Sequence, residues 1–190
     1  MKEKIDAFSA LKCLKDGNKI YLTSKKSVGD ISPEKRLHTS QNGQHPFAVI
    51  VSCSDSRVIP ESIFSAGIGD LFVIRVAGNV IDNIQLGSIE YAVEHLGCKL
   101  VVVLGHTECG AVCAALEQNN GYVKYITDEI KHAIGDEKDM IKAVTLNIKQ
   151  SVNKIREHIN NIEDLLITGA LYHTESGIVD FCHSTENKTI

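Results

Sequence analysis

Apolar and polar positions follow two periods along this chain. Residues 46–51, Pro46-Phe47-Ala48-Val49-Ile50-Val51, and residues 100–104 are unbroken apolar runs. Such runs suit strands covered on both faces, as in a parallel sheet. Residues 70–76 and 165–172 read as two more strands, and 178–181 can pair with the last through a turn at Ser176-Gly177. The helical period lies between them. Ile5, Phe8, Leu11 and Leu14 recur at three-residue steps with charges between, predicting an amphipathic helix over residues 4–23. Ser32-Pro33 opens a second helix, with Ser32 as N-cap and Pro33 in the first position. Pro60 starts a short helix, and residues 85–96 and 109–117 read as two more. Ile141, Val144, Ile148, Val152, Ile155 and Ile159 mark a long one. Residues 119–138 carry a weak signal, with Gly121 and Gly135 interrupting short helical pieces. The polar tail at 184–190 is expected to fray.

Alternating strands and helices predict an α/β fold: a mainly parallel central sheet of about four strands, flanked by helices, with 178–181 as an antiparallel edge. The expected organisation is a single domain over 1–190. A helical arm at 1–43 precedes a core at 44–183, and the apolar stripe of the arm must bury on its own domain or on a partner subunit. A chain of 190 residues with 43% hydrophobic residues is large enough for one real core. The formal charge of −4 provides no positive field for nucleic acid. No apolar run approaches a membrane span, and the N-terminus lacks the apolar core of a signal peptide, so a cytoplasmic protein is expected. The six cysteines then read as reduced thiols, free to bind metal.

The candidate chemistry sits at strand ends. Cys53 closes the first strand, while His106 and Cys109 follow the third. In a parallel sheet these positions meet outside the carboxyl ends of the strands, where such folds bind ligands. Singly, a cysteine at a strand end is more often a small buried hydrophobe, and a lone histidine is more often structural. Together, two thiolates and an imidazole make a zinc set, and three protein ligands leave one position open. Cys113, one turn beyond Cys109, is expected to pack within its helix. Cys13, Cys98 and Cys182 have no ligand-like neighbours and read as structural. A phosphate-loop nucleophile does not fit, because Cys53 and Arg57 are too close in sequence and Asp55 repels phosphate. A thioredoxin-like pair is excluded by the absence of two cysteines separated by two residues.

Cys53-Ser54-Asp55-Ser56-Arg57 with His106-Thr107-Glu108-Cys109-Gly110 resembles the signature of the β-class carbonic anhydrases. Residues 72–79 and 88–93 are similar to further segments of that family, so the likeness covers roughly residues 44–116. The resemblance implies one Zn2+ per subunit on Cys53, His106 and Cys109, with Asp55 and Arg57 as a catalytic dyad. The implied reaction is reversible hydration of carbon dioxide to bicarbonate and a proton by a zinc-held hydroxide. Asp55 either aligns that hydroxide while Arg57 holds it, or swings onto zinc and closes the site. Gln44, Phe72 and Tyr91 match positions lining a carbon dioxide pocket across a dimer interface in the plant-like branch, with Ala77 and Gly110 completing it. Ile50 stands where the other branch carries tryptophan, which favours the plant-like branch. Ser52 and Glu108 depart from the pattern and alter pocket polarity. His95 is a candidate proton relay, although a helix-surface role suits it equally. A homodimer or dimer of dimers is implied. Two rivals remain: hydrolysis of carbon disulfide or carbonyl sulfide on the same zinc set, and a non-catalytic zinc or thiol-sensing protein with a closed four-ligand site.

Overall fold

A computed structural model describes residues 5–26, 28–117 and 123–182. Lys4, Asn119, Gly121 and the tail at 184–190, named above, lie outside them. The elements in chain order are α1 (Ala7–Thr23), α2 (Pro33–Asn42), β1 (Ala48–Ser52), α3 (Pro60–Ile63), β2 (Leu71–Arg75) and α4 (Asn83–Glu90). They are followed by β3 (Leu100–His106), α5 (Gly110–Leu116), α6 (Lys124–Ile134), α7 (Met140–His158), β4 (Leu166–Tyr172) and β5 (Val179–Phe181). The strands form one five-stranded sheet in the order β2-β1-β3-β4-β5. Only the β4–β5 pairing is antiparallel. Every residue of β1 and β3 is buried, which is why both read as unbroken apolar runs.

The sheet divides the core in two. On one face Val49, Val51, Val101 and Val103 meet α5, α6 and α7 through Val112, Ile130, Val144 and Ile148. On the other, Ala48, Ile50, Val102 and Leu104 meet Ala10 and Leu14 of α1 and Ile63 of α3. Strand alternation sends consecutive side chains to opposite faces, so a single run supplies both cores.

Three expectations change. The stripe of α1 is Ala7, Ala10, Leu14 and Gly17, spaced by three, four and three, whereas Phe8 is 74% exposed. A constant step of three drifts around a helix of 3.6 residues per turn and carries Phe8 off the buried face. This stripe packs on the chain's own sheet. Asn18 fixes α1 there, its amide donating to the carbonyls of Ile63 and Gly177 and its Oδ1 accepting from the Val179 N–H. Helix α2, by contrast, buries no residue at all. In place of short pieces near 119–138, α6 is a continuous helix of 11 residues ended by Gly135 at φ 55°. The helix expected over 85–96 is α4 followed by one π-helical turn at Tyr91–His95. Among the described residues, no helix is long and apolar enough to cross a membrane.

Candidate metal centre

Two parallel strands one register apart deliver the candidate ligands. β1 pairs with β3, Ser52 opposite Leu104, so Cys53 and His106 emerge at the same sheet end. Cys109 is the N-cap of α5, close behind the end of β3. The ligand atoms of Cys53, His106 and Cys109 lie within 4.8 Å of one another, and all three residues are buried. They are the one such cluster found among the described residues. The His106 ring is oriented from behind: Nδ1 lies 2.8 Å from the Thr107 carbonyl, an acceptor that fixes the proton on Nδ1. Nε2 then carries the lone pair, and it is buried without any hydrogen-bond partner. An orphaned imidazole nitrogen facing two thiols fits a soft divalent metal, since burial without a partner is otherwise costly.

The two thiols act on each other. A hydrogen bond from Cys109 draws the Cys53 sulfur toward its thiolate form, and the same pairing pushes Cys109 up. Two backbone donors also reach Cys53 Sγ, the Gly78 N–H at 3.2 Å and the Asp55 N–H at 3.4 Å. Asp55 stands beside the cluster, with Oδ2 3.9 Å from His106 Nε2. Arg57 grips it in a fork, Nε donating to Oδ1 at 3.0 Å and an Nη to Oδ2 at 2.8 Å. The Arg57 guanidinium holds the carboxyl at about 2, well below its ordinary range. The same guanidinium donates to the Glu108 carbonyl at 3.2 Å, joining the two ligand loops.

The remaining candidates divide. Phe72 and Tyr91 come together, ring centroids 6.1 Å apart, and the His95 ring packs against Tyr91 at 5.4 Å, tilted by 37°. The π-helical turn begins at Tyr91, which is 47% exposed. Ala77 stands in the turn behind Cys53 and Gly110 is the first residue of α5, whereas Gln44 is exposed before β1. Cys113 stands outside this cluster; its half-buried thiol turns to Glu117 one turn along the helix. Cys98 is buried against the Pro46 carbonyl, and Cys13 and Cys182 are exposed.

Sequence reasoning missed two groups. Arg75 clamps the ligand loop by donating to the carbonyls of Cys53 and Asp55 at 3.2 and 2.7 Å. Asn147 and Ser151 of α7 are buried, and each donates to the turn at Ala77–Asn79. A signal for the latter existed. The two polar residues are four apart and lie within the apolar series Val144, Ile148, Val152.

Residues 48–179 match the family model described as carbonic anhydrase. Carbonic anhydrase 2 of Mycobacterium tuberculosis is 45% identical over 132 residues, covering 66% of this chain and 63% of that protein. The matched stretch is thus under two thirds of the relative's length. The β-carbonic anhydrase CafA of Aspergillus fumigatus superposes with a TM-score of 0.68 at 28% identity, over 81% of this chain and 83% of that one. One of two tetrameric β-carbonic anhydrases of Sordaria macrospora gives 0.63 at 28% identity, over 78% of this chain and 90% of that one.

Proposed function

The chain belongs to the carbonic anhydrase family, in its β-class, and from that premise we propose that it catalyses the reversible hydration of carbon dioxide to bicarbonate and a proton. The observation that carries the reading is the buried Cys53–His106–Cys109 cluster, with its unpartnered Nε2, beside a carboxylate gripped by arginine. These three residues would hold one Zn2+ and leave its fourth position open. When bound, zinc supplies a nucleophile at neutral pH by making water far more acidic than in bulk.

The protein's own groups then divide the labour. Asp55, held ionised by Arg57, is an acceptor at any neutral pH and too weak a base to keep a proton. Its role is to accept a hydrogen bond from the attacking oxygen and orient that oxygen toward carbon dioxide. The proton leaves to buffer, with His95 as the candidate relay. The Arg57–Asp55 fork supports the open arrangement, in which Asp55 is kept off the metal position. The Phe72–Tyr91 pair would offer an apolar wall for carbon dioxide, and together with Gln44, and with Ile50 where the other branch has tryptophan, it supports assignment to the plant-like branch.

The exposed apolar residues Ile31 and Leu37 around α2, which buries nothing on its own chain, support a homodimer or dimer of dimers. The Sordaria relatives are tetrameric by their description. Six free cysteines support a cytoplasmic location, where thiols stay reduced. Stopped-flow hydration by the zinc-loaded protein tests the activity. Asp55→Ala is expected to keep zinc and lose about 10- to 100-fold in rate, the usual effect of removing a residue that orients a metal site. A rate near wild type would sink the dyad. Faster turnover of carbonyl sulfide or carbon disulfide than of carbon dioxide would overturn the substrate assignment.

A further inference from the structure

Behind Cys53 lies a turn that the chain does not form cheaply. Gly78 and Asn79 both adopt left-handed backbone, at φ 69° and 46°. A non-glycine residue there is strained, and the conformation persists only if its surroundings hold it. A side chain at Gly78 has no room, because its Cβ would stand 2.8 Å from Ile130 Cδ1 and 3.1 Å from Ala111 Cβ. Three consecutive peptide groups of the turn are committed. The Gly78 N–H donates to Cys53 Sγ at 3.2 Å, the Gly78 carbonyl accepts from Asn147 Nδ2 at 2.7 Å, and the Asn79 carbonyl accepts from Ser151 Oγ at 3.1 Å. Asn147 and Ser151 are each only 3% exposed, and both interrupt the apolar face of α7. Burying two polar side chains in that face is costly unless each bond is made.

We propose that Asn147 and Ser151 are positioning residues of the metal centre: from α7 they hold the 77–79 turn so that the Gly78 N–H stays on the Cys53 sulfur and tempers its donation to zinc. The reason is electronic. A site with two thiolates delivers more electron density to its metal than one of three histidines, which weakens the metal as a Lewis acid. An N–H directed at a thiolate withdraws part of that density, and outer contacts of this kind set metal affinity and reactivity. The inference rests on the zinc reading above, and its test separates the two.

The test uses full-length protein carrying Asn147→Leu, Ser151→Ala or, as a control for plain core damage, Val152→Ala. Val152 is buried on the same helix and packs in the apolar core. Zinc affinity is measured by chelator competition, and the thiolate-to-metal charge-transfer band is recorded after cobalt(II) substitution. Asn147→Leu is expected to weaken zinc binding about 10- to 100-fold, because the turn no longer holds the Cys53 loop in place, and to move the band to lower energy, because the sulfur has lost its donor. Ser151→Ala should move both in the same direction by less, and Val152→Ala should leave the band in place. If Asn147→Leu fails to fold, the comparison of Ser151→Ala with Val152→Ala decides. Bands and affinities of the polar variants indistinguishable from the control would overturn the proposal and leave the zinc reading intact. Wild-type protein that takes up neither metal stoichiometrically would overturn both.

Discussion

Gly105 immediately precedes His106, and its substitution by alanine has a cost that can be worked from the packing. A Cβ at this position would stand 2.5 Å from Ile148 Cδ1, 2.6 Å from its Cγ1 and 3.5 Å from Val144 Cγ1. A Cβ on Gly169, in the neighbouring strand, would likewise meet Ile148 Cγ2 at 2.5 Å. The two glycines therefore form a hollow in the β3–β4 surface into which Ile148 of α7 is seated. Ile148 is buried, so it cannot swing into solvent to make room. Overpacking of this kind costs about 1–3 kcal/mol. For a chain of this length that corresponds to a fall of about 2–12 °C in the midpoint of thermal unfolding. The assay is urea or thermal unfolding at one protein concentration and one zinc activity, since binding of either shifts apparent stability. The double substitution with Ile148→Ala supplies the control. With Cγ1 and Cδ1 gone, the new methyl enters vacated space, and a favourable coupling of about 1–3 kcal/mol is expected between the sites. Equal cost of Gly105→Ala in both backgrounds would refute the clash as its cause.

Asn18→Leu orphans the carbonyls of Ile63 and Gly177 and the Val179 N–H, at a cost of about 2–4 kcal/mol from lost and unmade hydrogen bonds; a urea midpoint shift worth under 1 kcal/mol would show that α1 is not fastened there. Asp55 should titrate near 2 by carboxyl-carbon NMR in the wild type and return toward the ordinary range in Arg57→Met; unchanged titration in the variant would contradict the pairing. Because the folded pKa lies below the unfolded one, the stability contributed by this group is present above about pH 4 and lost as pH falls toward 2, so acidification from pH 8 to 6 leaves the pair intact. Cys53→Ser and Cys109→Ser should each lose zinc on dialysis against a chelator that leaves the wild type loaded, whereas Cys113→Ser should retain it; loss in Cys113→Ser would place a fourth protein ligand on the metal.

Much of this was legible because a few residues carry two constraints at once. β1 and β3 had to be buried on both faces, so their apolar runs predicted a parallel sheet, and a parallel sheet predicted where Cys53 and His106 would meet. Three-residue spacing does not make a face on α1, and Ala7, Ala10 and Gly17, which do face the core, are too small to stand out beside Phe8. Helix α6 was obscured by Thr127, a buried polar residue whose hydroxyl is satisfied by the carbonyls of Val123 and Lys124. The π-helical turn at Tyr91 changes the backbone hydrogen bonding without changing residue type, so no apolar period announces it. The hold of Asn147 on Gly78 spans 69 residues of sequence and depends on how α7 crosses the sheet. Only the breach of the apolar face at Asn147 and Ser151 was there to be read.

Cys53, His106 and Cys109 would form an open zinc site of two sulfurs and one nitrogen. X-ray absorption at the zinc edge of the loaded protein tests it most directly. Two sulfurs at about 2.3 Å, one nitrogen at about 2.0–2.1 Å and one further light atom would complete the shell the account predicts. A third sulfur, or zinc with no sulfur ligands, would contradict it.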